Sequence, residues 1–384
     1  MTAFYIHYPF CRSKCPYCDF NSHVRDSIDY KAFEQAYFKE IEYFANNSVD
    51  KNITSIFFGG GTPSLMPVDL VANLINKISQ KFTIQNDCEI TLEANPTSSE
   101  AQKFMSLKKI GINRLSLGIQ ALNDDDLKFL GREHSSFEAM ETIKMVQNLF
   151  DNFSFDLIYA RPNQTQNSWK QELDKALSFR PKHLSLYQLT IEKGTKFYSQ
   201  YRDNKFTLPD ENLASDLYNM TNQIMSDNDF EHYEISNYAH KNFASRHNLS
   251  YWQSDDYIGI GAGAHSRVSF VDLNRYAIQI LSEPSQWLNK NLNLGSAIQK
   301  ISKISRIEMI EEIIMMGLRL ENGLSQAIFL KYFNQKFDQI LDLKKLNFLI
   351  EKKLLIIDEK NIRIPEESRI LTNSIIQKIC STIF

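Results

Sequence analysis

Six times in its first half the chain repeats one unit: a short apolar segment, a polar or glycine-rich loop, then a run with helical periodicity. The extended candidates are Phe4–Tyr8, Ser55–Phe58, Glu89–Glu93, Arg114–Leu117, Ser154–Tyr159 and His183–Tyr187. Helical patterns run between them over Tyr30–Phe44, Pro67–Lys81, Glu100–Lys109, Ser136–Leu149 and Ser168–Ser178. Strands separated by a helix can pair in parallel, because a parallel connection needs a crossover of that length. Crossovers of this kind are right-handed, and six in succession roll the sheet into an incomplete (β/α)6 barrel. The expected fold class is therefore α/β, with the functional groups gathered at the C-terminal ends of the strands.

The remainder reads differently. Residues from about 190 to 300 look loop-rich, apart from a helical run at Glu211–Asp227 and a cluster of Tyr, His, Asn and Trp over 232–257. From about Ile304 the pattern is helical, and QILDLKKLNFLIEKKLLIIDEKNIRI predicts helix, turn and a short hairpin. The expected division is a partial barrel over 1–235, a connecting region over 236–300 and a small, mainly helical domain over 301–384. With 384 residues, 43% of them apolar, the chain can bury cores for both.

The formal charge of −3 and the lack of a basic stripe argue against nucleic acid as a partner. No run of about 18 uncharged apolar residues predicts a membrane span, and MTAFYIHYPFC does not read as a secretory signal. Five cysteines, three of them inside eight residues, do not make a disulfide framework. Clustered thiols in an unexported chain more often bind metal, so a cytoplasmic location is expected.

Those three are Cys11-x3-Cys15-x2-Cys18, directly after the first strand. Thiolates are soft ligands suited to iron–sulfur clusters or zinc. Three ligands leave one iron of a [4Fe–4S] cubane without a protein donor, which is the open site S-adenosylmethionine needs. A Cys3His zinc site completed by His23 is the competing assignment.

Later strands also end in chemically distinctive loops. Ser55–Phe58 leads into Gly59-Gly60-Gly61-Thr62-Pro63, where glycines permit close backbone approach to a ligand. Glu93, Gln120 and Asp156 stand at or just beyond three further strand ends, and Arg132 lies in a Leu-Gly-Arg loop before a helix. Carboxylates accept bonds from ribose hydroxyls, and a guanidinium grips a carboxylate bidentately. Each alone could be a structural polar group; converging at one barrel mouth, they match what S-adenosylmethionine presents.

In order, FYIHYPFCRSKCPYCDF, FFGGGTPS, LEANP, RLSLGIQ, LGREH and DLIYARP resemble the oxygen-independent coproporphyrinogen III oxidase group of radical SAM proteins. The likeness runs from Phe4 to about Ser266 and resumes at MGLRLENG. It implies a radical SAM barrel, with the cluster on Cys11, Cys15 and Cys18. It also implies that Tyr5, Gly60, Gly61, Thr62, Glu93, Gln120, Arg132 and Asp156 contact S-adenosylmethionine. Within the group the chain is more similar to the haem-chaperone branch than to the oxidases. Phe20 stands where the oxidase pattern has a further cysteine, and His247-Asn248-Leu249-Ser250-Tyr251-Trp252 matches the HNxxYW signature of the chaperones. One departure is Ala160-Arg161-Pro162, where relatives usually read Gly-Leu-Pro.

The chaperone branch implies a haem carrier with His247 as ligand to the iron and a haemoprotein as recipient. A membrane respiratory enzyme is one such recipient, which would put the protein at the inner face of the membrane; a homodimer is left open. Imidazole is a strong axial ligand, Tyr251 and Trp252 could stack on a porphyrin, and Arg246 could pair with a propionate. An aromatic cluster with one histidine is, on residues alone, more often core. The alternative function is a radical SAM dehydrogenase acting on coproporphyrinogen III. Gly259–Ser266 (GIGAGAHS) lacks the context of a dinucleotide loop and is read as a structural turn, with His265 set aside as a second haem ligand.

Overall fold

The computed structural model describes residues 2–96 and 101–384. The repeating unit folds as the spacing predicts. Strands β1 (Thr2–Tyr8), β2 (Asn52–Gly60), β3 (Thr83–Ala94), β4 (Arg114–Gln120), β5 (Asn152–Tyr159) and β6 (His183–Gln188) lie side by side in chain order, each parallel to the last. Helices Tyr30–Asn47, Val68–Lys81, Ala101–Lys109, Ser136–Leu149 and Gln166–Ser178 form the crossovers; Glu100, the expected start of the third, lies outside the described residues. Their starts are written locally. Asp29 accepts from the Ala32 amide at 3.0 Å, and Ser135/Glu138 and Thr165/Ser168 form capping boxes.

Alternation along the strands divides the residues between two faces. Phe4, Ile6, Ile56, Phe58, Leu92, Leu115, Phe155 and Leu184 are buried in the main core together with Phe33, Leu74, Ile143 and Leu173 of the helices. The other face carries Tyr5, Ser55, Phe57, Glu89, Glu93, Arg114, Ser154, Asp156 and His183, and lines the lumen with polar and aromatic groups.

The expected loop-rich stretch from 190 to 300 is instead regular structure. It supplies β7 (Glu231–Glu234), β8 (Asn237–Ala239), β9 (Asp256–Ile260), β10 (His265–Ser269), β11 (Arg275–Ile280) and β12 (Ile298–Lys303). These extend the sheet at both edges to twelve strands, ordered β12-β11-β10-β9-β1-β2-β3-β4-β5-β6-β8-β7. Strand β9 joins β1 in parallel, and β10 to β12 continue as an antiparallel meander. Short strands broken by Asn, Asp and Gly lack the long apolar runs of β1–β6, so their period is hard to read. The glycines of 259–263 mark close approach: a Cβ on Gly259 would stand 2.1 Å from the His265 carbonyl oxygen.

Helix Arg246–Trp252 crosses the N-terminal end of the lumen and closes its floor. Ser245 Oγ and the His247 amide both reach Glu89 Oε1 at 3.4 Å, and Glu89 is ion-paired with buried Arg114. Beyond the sheet, a second core gathers Ile310, Ile314, Leu324, Phe329, Leu341, Ile362 and Ile379. Its helices Arg306–Gly317 and Thr372–Cys380 and the hairpin Ile356–Ile357/Asn361–Arg363 agree with the predicted helix, turn and hairpin. Among the described residues no helix is long and apolar enough to cross a membrane.

Candidate cluster and nucleoside site

Cys11, Cys15 and Cys18 are unpaired thiols on a loop that leaves β1 at the C-terminal mouth of the barrel. All three line one cavity with Gly60, Gly61, Thr62, Glu93, Gln120, Arg132 and Asp156. The sulfurs face donors: Thr62 Oγ1 lies 3.5 Å from Cys11 Sγ, and the Arg132 guanidinium donates to Cys15 Sγ at 3.3 Å. Burial raises Cys11 and Cys18, so their thiolates need a compensating positive centre. Arg132 Nε is buried with no partner. A donor left unpaired beside three thiols suits an anionic group held among them, and the donor set fits an iron–sulfur cluster. Among the described residues no three His, Cys, Asp or Glu side chains are gathered to hold a single metal ion. His23, the fourth ligand of the zinc alternative, bonds to Asn21 Oδ1 at 3.0 Å instead.

The loop is fixed from beneath. The Gly61 amide donates to the Tyr8 carbonyl (2.7 Å) and the Thr62 amide to that of Phe10 (2.9 Å). A Cβ on Gly61 would sit 2.5 Å from the Phe10 carbonyl oxygen, so no other residue packs there without moving the chain toward Cys11. Gly60, at φ +112°, donates to Glu93 Oε2 at 3.2 Å. Gln120 holds φ 73° at the end of β4, a strained conformation for a non-glycine residue at a candidate binding site.

Two carboxyls share this mouth. Burial, reinforced by Asp156, pushes Glu93 up to about 8, and burial pushes Asp156 up to about 6. Both can therefore carry a proton near neutrality and donate as well as accept. Tyr5 stands below, raised by burial and by Glu93, with its hydroxyl 3.1 Å from His7 Nδ1.

His247 is placed apart from this mouth. Its ring lies on the lumen floor, 1% exposed, stacked against Phe57 (4.8 Å) and Tyr5 (6.0 Å). Nδ1 bonds with Ser55 Oγ at 3.0 Å and Nε2 with Tyr251 Oη at 2.8 Å. Burial lowers it to about 3, so it is neutral but has no free nitrogen in this arrangement. Arg246, the expected propionate partner, is bound to Asp87 at 2.8 Å.

Two family models match the chain: Radical SAM superfamily over residues 5–176 and HemN C-terminal domain over 304–371. A Haemophilus influenzae protein named Heme chaperone HemW is 32% identical over 98% of this chain and 97% of its own length. The chain belongs to the HemW-type group of the radical SAM family. Escherichia coli Heme chaperone HemW is 37% identical over 70% of this chain and 71% of its own. A mitochondrial protein of Dictyostelium discoideum, Radical S-adenosyl methionine domain-containing protein 1, is 36% identical over 98% and 94%. The fold matches that of E. coli coproporphyrinogen III oxidase, with a TM-score of 0.78 at 22% identity over 99% of this chain and 89% of that one.

Within this HemW-type chain, two asparagines bear on the site without having been singled out. Asn95 Oδ1 accepts from Arg132 at 2.6 Å and its amide donates to Thr62 Oγ1 at 3.2 Å, joining the guanidinium to the glycine loop. Asn21 takes a bond from His7 Nε2 on its carbonyl and donates to the Ala262 and Ser282 carbonyls, pinning the cysteine loop to the β9–β10 turn. Asn95 was legible as the residue after the strand-end Glu93-Ala94; nothing in the sequence marks Asn21.

The Ala160-Arg161 departure is accommodated away from the mouth. Arg161 is buried, paired with Glu172 and, at 3.0 Å, with Asp126. Ala160 keeps φ 56°, the left-handed conformation the usual glycine adopts freely.

Proposed function

We propose that this chain takes up haem and passes it to a recipient haemoprotein, with a [4Fe–4S] cluster and S-adenosylmethionine as its resident groups. In this reading Cys11, Cys15 and Cys18 hold three irons and leave the fourth for the amino acid end of the nucleoside. When bound, the cluster supplies an electron at the sulfonium. Arg132, anchored by Asn95 and by the Gly118 carbonyl at 2.7 Å, holds positive charge beside the cluster and the ligand's carboxylate. Glu93 and Asp156 exchange hydrogen bonds with hydroxyls as donors or acceptors, and Gln120 adds an amide from the strained end of β4. Gly60, Gly61 and Thr62 let the backbone approach the ligand, and Tyr5 closes the pocket from below.

The observation carrying the preference for a carrier over a dehydrogenase of the same fold is the filled lumen. Tyr5, Phe57 and His247 stack beneath the nucleoside pocket, where a dehydrogenase acting on a tetrapyrrole would need room for its substrate. His247 becomes a haem ligand in this reading only when helix Arg246–Trp252 leaves the floor.

The test is anaerobic reconstitution with iron and sulfide, then titration with ferric haem followed by absorbance. A cluster band with a stoichiometric haem band is expected, with no protoporphyrinogen formed from coproporphyrinogen III. Turnover of coproporphyrinogen III with release of deoxyadenosine would establish the dehydrogenase instead.

A further inference from the structure

A cleft of about 520 Å³ separates the sheet extension from the C-terminal helices, within the usual size of small-molecule pockets. Strands β10 to β12 make one wall, and helices Arg306–Gly317 and Thr372–Cys380 the other. His265 is on the strand wall. Its ring is exposed, and among the described residues neither ring nitrogen has a hydrogen-bond partner. The contrast with His247 is complete: one imidazole is sealed and doubly bonded, the other open and free.

The strand register places further chemistry around His265. It lies opposite Gln279 on β11, which lies opposite Lys300 on β12. Two strand spacings, about 9–10 Å, thus separate the imidazole from the lysine. That suits a planar ligand coordinated at its centre and carrying carboxylates at one edge. Lys303 lies three residues on in the same cleft. The facing wall offers Ile376 and the half-exposed thioether of Met315. Of the acidic side chains in the cleft, Glu312 is taken by Arg267 at 2.8 Å and Glu308 caps its own helix through the Ser305 amide.

We propose that this cleft is the haem site of the folded chain, with His265 Nδ1 or Nε2 as axial ligand and Lys300 and Lys303 meeting the propionates. The proposal rests on the haem-carrier reading and assigns it a place. It also links cargo to the cluster side, because Asn21 of the cysteine loop bonds to the Ala262 carbonyl three residues before His265.

The experiment is ferric haem titration of the reconstituted full chain as wild type, His265→Ala and Ala277→Trp. Ala277 lies in the cleft beside Arg267, and its replacement by Trp fills the space without touching His265. Both variants should keep wild-type iron and sulfide content and weaken haem binding at least tenfold, with His265→Ala also losing the wild-type Soret position. Wild-type affinity and spectrum in either variant would overturn the site while leaving the carrier reading intact. Absence of specific haem binding by the wild type would overturn the carrier reading itself.

Discussion

The two ends of the barrel lumen are built in opposite ways. At the mouth, three thiols, two proton-bearing carboxyls and a guanidinium with an unpaired Nε face one cavity, held by a backbone that only glycine allows at Gly61. At the floor, His247 is stacked, neutral and bonded through both nitrogens. The mouth has donors and acceptors still to be satisfied, whereas the floor has satisfied its own. A short motif can therefore mark a ligand site at one end and, at the other, a residue whose present work is to hold the barrel closed.

The largest expected effect tests the mouth. Cys15→Ser should abolish the reconstituted cluster, read as loss of stoichiometric iron and sulfide, while the unfolding midpoint of the apo-protein stays near wild type. Retention of a full cluster would remove Cys15 from the ligand set and end the contrast.

The next tests the floor. His247→Ala removes a fully buried ring and strands Ser55 Oγ and Tyr251 Oη, so it should cost about 2–4 kcal/mol in urea unfolding. A variant as stable as wild type would show that the floor is not structural. Loss of haem binding by this variant has to be judged against that destabilisation, whereas His265 is exposed and carries no such cost.

Which parts were readable follows from the same contrast. Strands β1 to β6 were legible because each is a continuous apolar run with a helix-length crossover after it, and the cysteine spacing is specific by itself. Glu93, Gln120, Arg132 and Asp156 could be grouped because a parallel barrel brings its strand ends together. The edge strands β7 to β12 were hidden: they are short, polar on one face and paired through distant segments, such as Thr2 with Asp256. His247 was recognised as unusual, but whether a histidine is sealed or open depends on Ser55, Phe57 and Tyr251, a register no local pattern records. His265 was dismissed for the converse reason, since only the β10–β12 register sets it across a cleft from Lys300.

A change of pH sharpens the floor further. His247 titrates at about 3 when folded, against about 6.5 in an unfolded chain. The unfolded state therefore takes up the proton first, and the stability His247 contributes is fully present above about pH 6.5 and is lost as pH falls toward 3. The gap between wild type and His247→Ala should narrow by up to about 1.4 kcal/mol per pH unit below 6.5. Unfolding curves of both proteins at pH 7.5 and 5.5 measure it. A gap independent of pH would mean that the imidazole is already charged in the fold.

The smallest effect concerns the residue next to it. Arg246 pairs with Asp87 at the surface, with both side chains about half exposed or more, and exposed pairs of this kind contribute about 0–1 kcal/mol. Arg246→Ala should therefore shift stability by less than about 1 kcal/mol and leave haem affinity unchanged, because its guanidinium is engaged at the rim of the floor and the proposed propionate partners lie on β12. A marked loss of haem affinity with unchanged stability would place a propionate at the HNLSYW helix instead, returning the cargo to the floor and merging the two regions that the structure keeps apart.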